Sequence, residues 1–189
     1  MKNKFARLGL LGLLLAMCWC SCSTEPKASG GTPKEIPGKT TADLPVPDFQ
    51  ADTAYAFIEK QLSFGPRVPN TSAHVACANW LEQQLRAYGA RIHLQPAEVV
   101  AYNGTRLYMQ NIIASFQPEK KQRIMLSAHW DTRHIAEADS LRPHEPIPGA
   151  NDGGSGVGVL LEVARLLGKH PSRVGVDIFL WDAEDYGDP

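Results

Sequence analysis

Two continuous apolar runs, RIMLSA at 123–128 and VGVDIFLW at 174–181, flank a segment in which Val157, Leu160, Leu161, Ala164 and Leu167 recur every three or four residues. An apolar run without polar alternation suits a strand buried on both faces, whereas the three-and-four spacing makes one apolar stripe along a helix over 156–168. Strand, helix, strand in that order predicts a right-handed crossover between parallel strands, which no tight turn can join. The class is therefore α/β.

The rest of the domain fits around that unit. DTAYAFIEKQLS at 52–63 opens on Asp52, a residue type that caps helices, and places Ala54, Phe57, Ile58, Gln61 and Leu62 at helical spacing. FGPRVPN at 64–70 breaks this helix, and Thr71 or Ser72 can cap a second one running to about Tyr88, with Val75, Ala78, Leu81 and Leu85 as its buried stripe and Gly89 closing it. Arg91–Tyr102 and Leu107–Phe116 read as a hairpin around Asn103-Gly104. The expected architecture is a mixed, mostly parallel sheet flanked by helices, with an antiparallel hairpin extending it.

At the N-terminus, Lys2, Lys4 and Arg7 precede an apolar run from Leu8 to Met17, too short for a stable membrane helix and typical of a secretory signal peptide. Cys18, Cys20 and Cys22 follow, and a cysteine at that place resembles the lipidation site of bacterial lipoproteins; Cys22, preceded by the small Ser21, is the expected site. The alternative is ordinary cleavage without lipid. The expected organisation is a signal peptide over 1–21, a Pro-, Gly- and Thr-rich tether over 22–50 and a catalytic domain from 51 onward. Such a protein is exported and held to a membrane by its lipid, facing the periplasm or the cell surface. Cys77 alone remains in the domain, which excludes an internal disulfide and suits a small core residue.

Composition removes one class of partner. Net charge is −1 over 19 basic and 20 acidic side chains, and −4 without residues 1–21, so no nucleic-acid surface is expected.

Polar residues beyond the carboxyl ends of strands are where ligands gather in such sheets. RIMLSA runs into His129-Trp130-Asp131, the loop ending Gly149-Ala150-Asn151-Asp152-Gly153-Gly154 opens the central helix, and the last strand runs into Asp182-Ala183-Glu184-Asp185. Taken singly, His129 reads equally as a structural histidine, Asp152 as a helix cap, and Glu184 and Asp185 as turn carboxylates. Taken together they suit a metal centre. His129 and Asp131, two apart on an extended strand end, point to one side, as a ligand with its orienting carboxylate would. Glycines around Asp152 allow its backbone to come close to a metal. If one of Glu184 and Asp185 binds metal, its neighbour leans elsewhere and can act as a base. His134 and His144 read as solvated loop histidines, His74, His93 and His170 give no motif, and Ser155 has no histidine placed to activate it.

AHWDTR at 128–133, PGANDGGSGVGVLLEVARLL at 148–167 and VDIFLWDAEDYGDP at 176–189 resemble the zinc aminopeptidase superfamily, and more closely its glutaminyl-peptide cyclotransferase branch. FGPRVPNTSAH at 64–74 resembles the segment where the cyclase domain begins. The resemblance implies a three-layer arrangement of helices and sheet with zinc at the sheet's carboxyl edge. It implies Asp152 as a zinc ligand, bridging two zincs in peptidases, and Asp185 as the next ligand, a position usually filled by Glu. It also implies Glu184 as general acid/base, His129 as the peptidases' second-zinc ligand, and Asp131 as the partner behind that histidine. A final histidine ligand and a further catalytic Asp are expected beyond Pro189, in a domain about twice as long.

Three functions follow from the resemblance. The first is closure of an N-terminal glutaminyl residue of a peptide or protein to pyroglutamate with loss of ammonia at one zinc, Glu184 carrying the proton. The second is a two-zinc aminopeptidase in which His129 completes the second metal site. The third is an inactive, truncated lipoprotein.

Overall fold

The computed structural model describes residues 46–187, so the expected signal peptide over 1–21, Cys22 and nearly all of the expected tether over 22–50 lie outside the described residues. Residues 46–50 are exposed and lead into helix α1, Ala51–Leu62. Gln50, not Asp52, holds the N-cap position, and no side chain caps it. Asp52 sits inside the first turn, where a carboxylate faces the positive end of the helix dipole. The anchoring comes from elsewhere: the Gln50 amide donates to Glu162 Oε1 at 2.9 Å.

Helix α2, Ser72–Ala87, starts as expected, with Thr71 Oγ1 accepting from the His74 amide at 3.2 Å. Ala78, Leu81 and Leu85 are buried, but Val75 is 56% exposed. His74 and Cys77 occupy the buried face in its place. His74 can be buried because a carboxylate partner waits there, which apolar periodicity cannot reveal.

Strands β1, Arg91–Val100, and β2, Arg106–Phe116, form the expected hairpin, in register from Arg91↔Ser115 to Val100↔Arg106. The turn takes Ala101 and Tyr102 out of the strand and uses Gly104 at φ +81°. Strand β3, Arg123–His129, helix α3, Gly156–Lys169, and strand β4, Gly175–Trp181, complete the crossover. The strand order is β1-β2-β4-β3, with β3 parallel to β4 and both other pairs antiparallel. The sheet is mixed and flanked by helices.

β4 is buried as its sequence suggests, whereas β3 is not. Ile124 and Met125 are 51% and 61% exposed, because β3 has a hydrogen-bonded neighbour on one side only among the described residues.

One core joins sheet and helices. Ile112, Ala114 and Phe116 of β2 and Val176, Ile178 and Leu180 of β4 meet Leu81 and Leu85 of α2 and Val157, Leu160, Leu161 and Ala164 of α3. Each such large side chain contributes about 1.5–3 kcal/mol relative to exposure. α1 packs on α3 at close range, since a Cβ on Gly158 would lie 2.8 Å from Ala54 O and from Ile58 Cγ1. Glu162, a buried charge on α3, is held ionised by Arg165, whose Nε and Nη2 donate to it at 2.6 Å. No helix among the described residues is long and apolar enough to cross a membrane.

Candidate metal centre

The parallel pairing of β3 with β4 ends at His129↔Trp181, so the two strands deliver their polar extensions side by side. Trp130, Asp131 and Thr132 follow β3 fully buried. Between β3 and α3 the chain makes an irregular turn over Ala150–Ser155. Here Asp152 is extended (φ −81°, ψ 112°) and Gly153 has φ +77°. A Cβ on Gly153 would sit 3.0 Å from Asp131 O and from His129 Cε1, so glycine alone lets this turn lie against the strand end. Asp152 then reaches His129, with Oδ1 2.9 Å from Nε2.

The segment after β4 turns sharply at Ala183, a non-glycine residue at φ +57°. Glu184 and Asp185 follow, and their amides donate to the two oxygens of Asp131 at 3.2 and 3.1 Å. The Asp131 carboxylate thus grips the turn that carries Glu184 and Asp185, while lying 3.6 Å from His129 Nδ1. Glu184 Oε2 is 3.8 Å from the same nitrogen.

His129, Asp152 and Asp185 converge: each offers one ligand atom, and these atoms lie within 4.8 Å of one another. Asp131, and beyond it Glu184 and Asp152, hold the His129 imidazolium against burial, raising its pKa to about 9. Burial pushes the Asp185 carboxyl above its usual range, and the Asp152 and Asp131 charges push it the same way. Asp185 Oδ2 is buried without a hydrogen-bond partner. A crowded carboxylate set with an orphaned oxygen and one imidazole is a donor set that suits a divalent cation such as zinc. A bound cation would relieve both the repulsion and the orphaned oxygen.

Three residues of this region escaped the sequence reading. Arg67 is fully buried and donates to Trp130 O at 3.0 Å, Pro148 O at 2.9 Å and Gly149 O at 2.7 Å, tying the extension of β3 to the loop that leads to Asp152. Burial lowers its pKa. His74, which gave no motif, is buried against Asp182. His134 is not a freely solvated loop histidine: its ring stacks on Tyr186, centroids 4.0 Å apart and 9° from parallel, and its Nδ1 is buried without a partner. His144 is exposed, as expected, and Ser155 Oγ merely donates to Asn151 O at 2.6 Å. A cavity of about 620 Å³ lies beside the cluster, formed chiefly by the 133–148 loop; of its lining residues, Arg133 also reaches Asp185, Nη1 to Oδ1 at 3.5 Å.

Comparison with known proteins gives this arrangement a lineage. Residues 111–187 match the profile of Peptidase family M28. A glutaminyl cyclase of Bacteroides thetaiotaomicron, solved bound to N-acetylhistamine, is 54% identical with a TM-score of 0.75, over 77% of this chain and 50% of its own. A Zn-dependent exopeptidase of Parabacteroides distasonis is 50% identical with a TM-score of 0.75, again over 77% of this chain and 50% of its own. A probable zinc metalloprotease of Pyrenophora tritici-repentis is 27% identical over 75% of this chain and 32% of its own. The chain thus spans about half the length of the solved structures and a third of that curated relative. Strand ends, glycine turn and carboxylate turn all fall within the matched segment, so the chain is similar there to Peptidase family M28 and, over about three quarters of its length, to bacterial glutaminyl cyclases and zinc exopeptidases.

Proposed function

We propose that this chain is part of a glutaminyl-peptide cyclotransferase, acting on peptides or proteins with an N-terminal glutamine. The observation that carries the reading is the 50–54% identity to glutaminyl cyclases of three bacterial species over about three quarters of the chain. Asp152 and Asp185 are the carboxylates that would hold zinc, with a histidine from outside this sequence completing the set. Zinc supplies electrophilic activation of the glutamine γ-carboxamide. Glu184, 63% exposed in its side chain and so free to meet substrate, accepts a proton from the attacking α-amine and returns it to the departing nitrogen. Asp131 fixes the direction from which Glu184 approaches by holding its amide. Export through residues 1–21, a lipid on Cys22 and the tether over 22–50 would place the domain at a membrane surface, where it meets secreted substrates.

One observation favours a second reading. His129 converges with Asp152 and Asp185, as a two-zinc aminopeptidase requires. The two are separated by incubating a Gln-initiated peptide with the protein and following its mass: loss of ammonia is the expected product, and release of free glutamine, with two zincs bound per chain, would establish the peptidase instead. Glu184→Gln should lower turnover roughly 10²–10⁴-fold while zinc content is retained. No turnover of either kind, with no zinc after dialysis, would leave the inactive lipoprotein.

A further inference from the structure

Asp182 is the first residue after β4, and its carboxylate is fully buried, as is nearly all of the His74 side chain facing it. His74 Nε2 lies 2.8 and 2.9 Å from the two oxygens of Asp182. The same carboxylate accepts the Gln110 amide at 2.6 Å and the Ala183 amide at 2.8 Å, and the Asp182 amide itself donates to Asn111 Oδ1 at 2.9 Å. His74 is in turn fixed at both ends: its amide is capped by Thr71, and its ring stacks on Trp130 at 4.3 Å and 22°. Three donors, His74 Nε2 and the Gln110 and Ala183 amides, therefore converge on the Asp182 carboxylate, and the His74 ring is itself held by its stack on Trp130.

What this network holds is Ala183. At φ +57° an alanine occupies the left-handed region, which costs an L-residue roughly tenfold in population relative to its favoured conformations. Such a conformation persists only where its surroundings over-determine it. Here Asp182 accepts the amide of Ala183, and Asp131 accepts the next two amides, those of Glu184 and Asp185. Every amide of the turn is taken by one of two buried carboxylates.

The geometry points to His74 and Asp182 as a positioning pair that fixes the left-handed turn at Ala183 and so aims Glu184 and Asp185 at the metal centre. The pair touches no substrate and acts through the backbone of the turn. This deepens the zinc-enzyme reading and rests on it where zinc is measured; exchange of the turn amides in the metal-free chain does not.

The test uses the full chain in three forms. Asp182→Asn, which puts an NH₂ where two acceptors stood, should lower zinc affinity about tenfold in a chelator competition and speed hydrogen exchange of the 183–185 amides about tenfold. Adding Ala183→Gly, which takes the left-handed conformation without strain, should recover most of the lost zinc affinity. Ala183→Val leaves the pair intact but raises the strain, and should reproduce the loss; it also keeps the test alive if Asp182→Asn does not fold. Unchanged affinity and exchange in Asp182→Asn, or a double variant no better than the single one, would overturn the positioning role. If the unaltered chain binds no zinc while Asp182→Asn still speeds exchange of the 183–185 amides, zinc binding by this chain alone falls and the pair stands.

Discussion

At the scale of single residues, the centre is built on proximity of like charges. Asp152, Asp185, Asp131 and Glu184 crowd around one imidazole, and the outcome is a His129 pKa near 9 and an Asp185 carboxyl pushed upward. Both pKa values are raised in the folded, metal-free chain, that of Asp185 first by burial and then by the neighbouring charges, so the sign of the pH effect is common to both. For His129 the stabilisation is complete below the unfolded value of about 6.5 and is lost as pH rises through about 9. The Asp185 contribution is likewise lost as pH rises through its raised value. The metal-free chain should therefore lose thermal stability between pH 6.5 and 9, while the increase in Tm on adding zinc grows over the same interval. If His129 is a ligand, zinc must displace its proton, and affinity should climb about tenfold per pH unit between 7 and 9. Chelator competition across that range reads this directly, and His129→Gln should flatten the slope.

Among the elements, the glycine turn before α3 sets the tolerance of the site. Gly153→Ala would place a methyl 3.0 Å from Asp131 O and His129 Cε1, at φ +77°. A cost of about 1–3 kcal/mol in urea unfolding and a fall in zinc affinity are expected. Gly104→Ala at the hairpin tip is the control: φ is +81° but nothing lies within 4 Å of the added methyl. It should cost about 1 kcal/mol and leave zinc binding unchanged. The same elements show how far the sequence could be read. α3 was legible because one stripe of apolar side chains meets one core, and the hairpin because Asn103-Gly104 marks its turn. β3 was misjudged, since a continuous apolar run such as RIMLSA does not say whether one neighbour or two will pair with it. His74 replaced Val75 on the buried face of α2 because its partner, Asp182, stands 108 residues away. The clusters at 129–131, 152 and 184–185 were legible because strand ends and glycines announce them; Arg67 was not, because its acceptors are backbone carbonyls 63, 81 and 82 residues distant.

Over the whole molecule, Arg67 is the tie between the segment that opens the domain and the two loops that frame the centre. Its guanidinium meets three carbonyls that water cannot easily reach, so Arg67→Met should cost roughly 3 kcal/mol or more in denaturant unfolding. A surface arginine such as Arg86, paired with Glu82 in an exposed i,i+4 bridge, should cost no more than about 0.5 kcal/mol on the same change. The groups of the centre lie at the ends of two adjacent parallel strands and on the glycine turn before α3, whereas the 133–148 loop, with its cavity, lies outside those segments. The groups of the centre and the walls of that cavity are thereby encoded in largely separate stretches of chain. The loop can then change in sequence without disturbing the groups of the centre; glutaminyl cyclases and zinc exopeptidases that are 50–54% identical to this chain over half of their own length are what such a separation would leave behind.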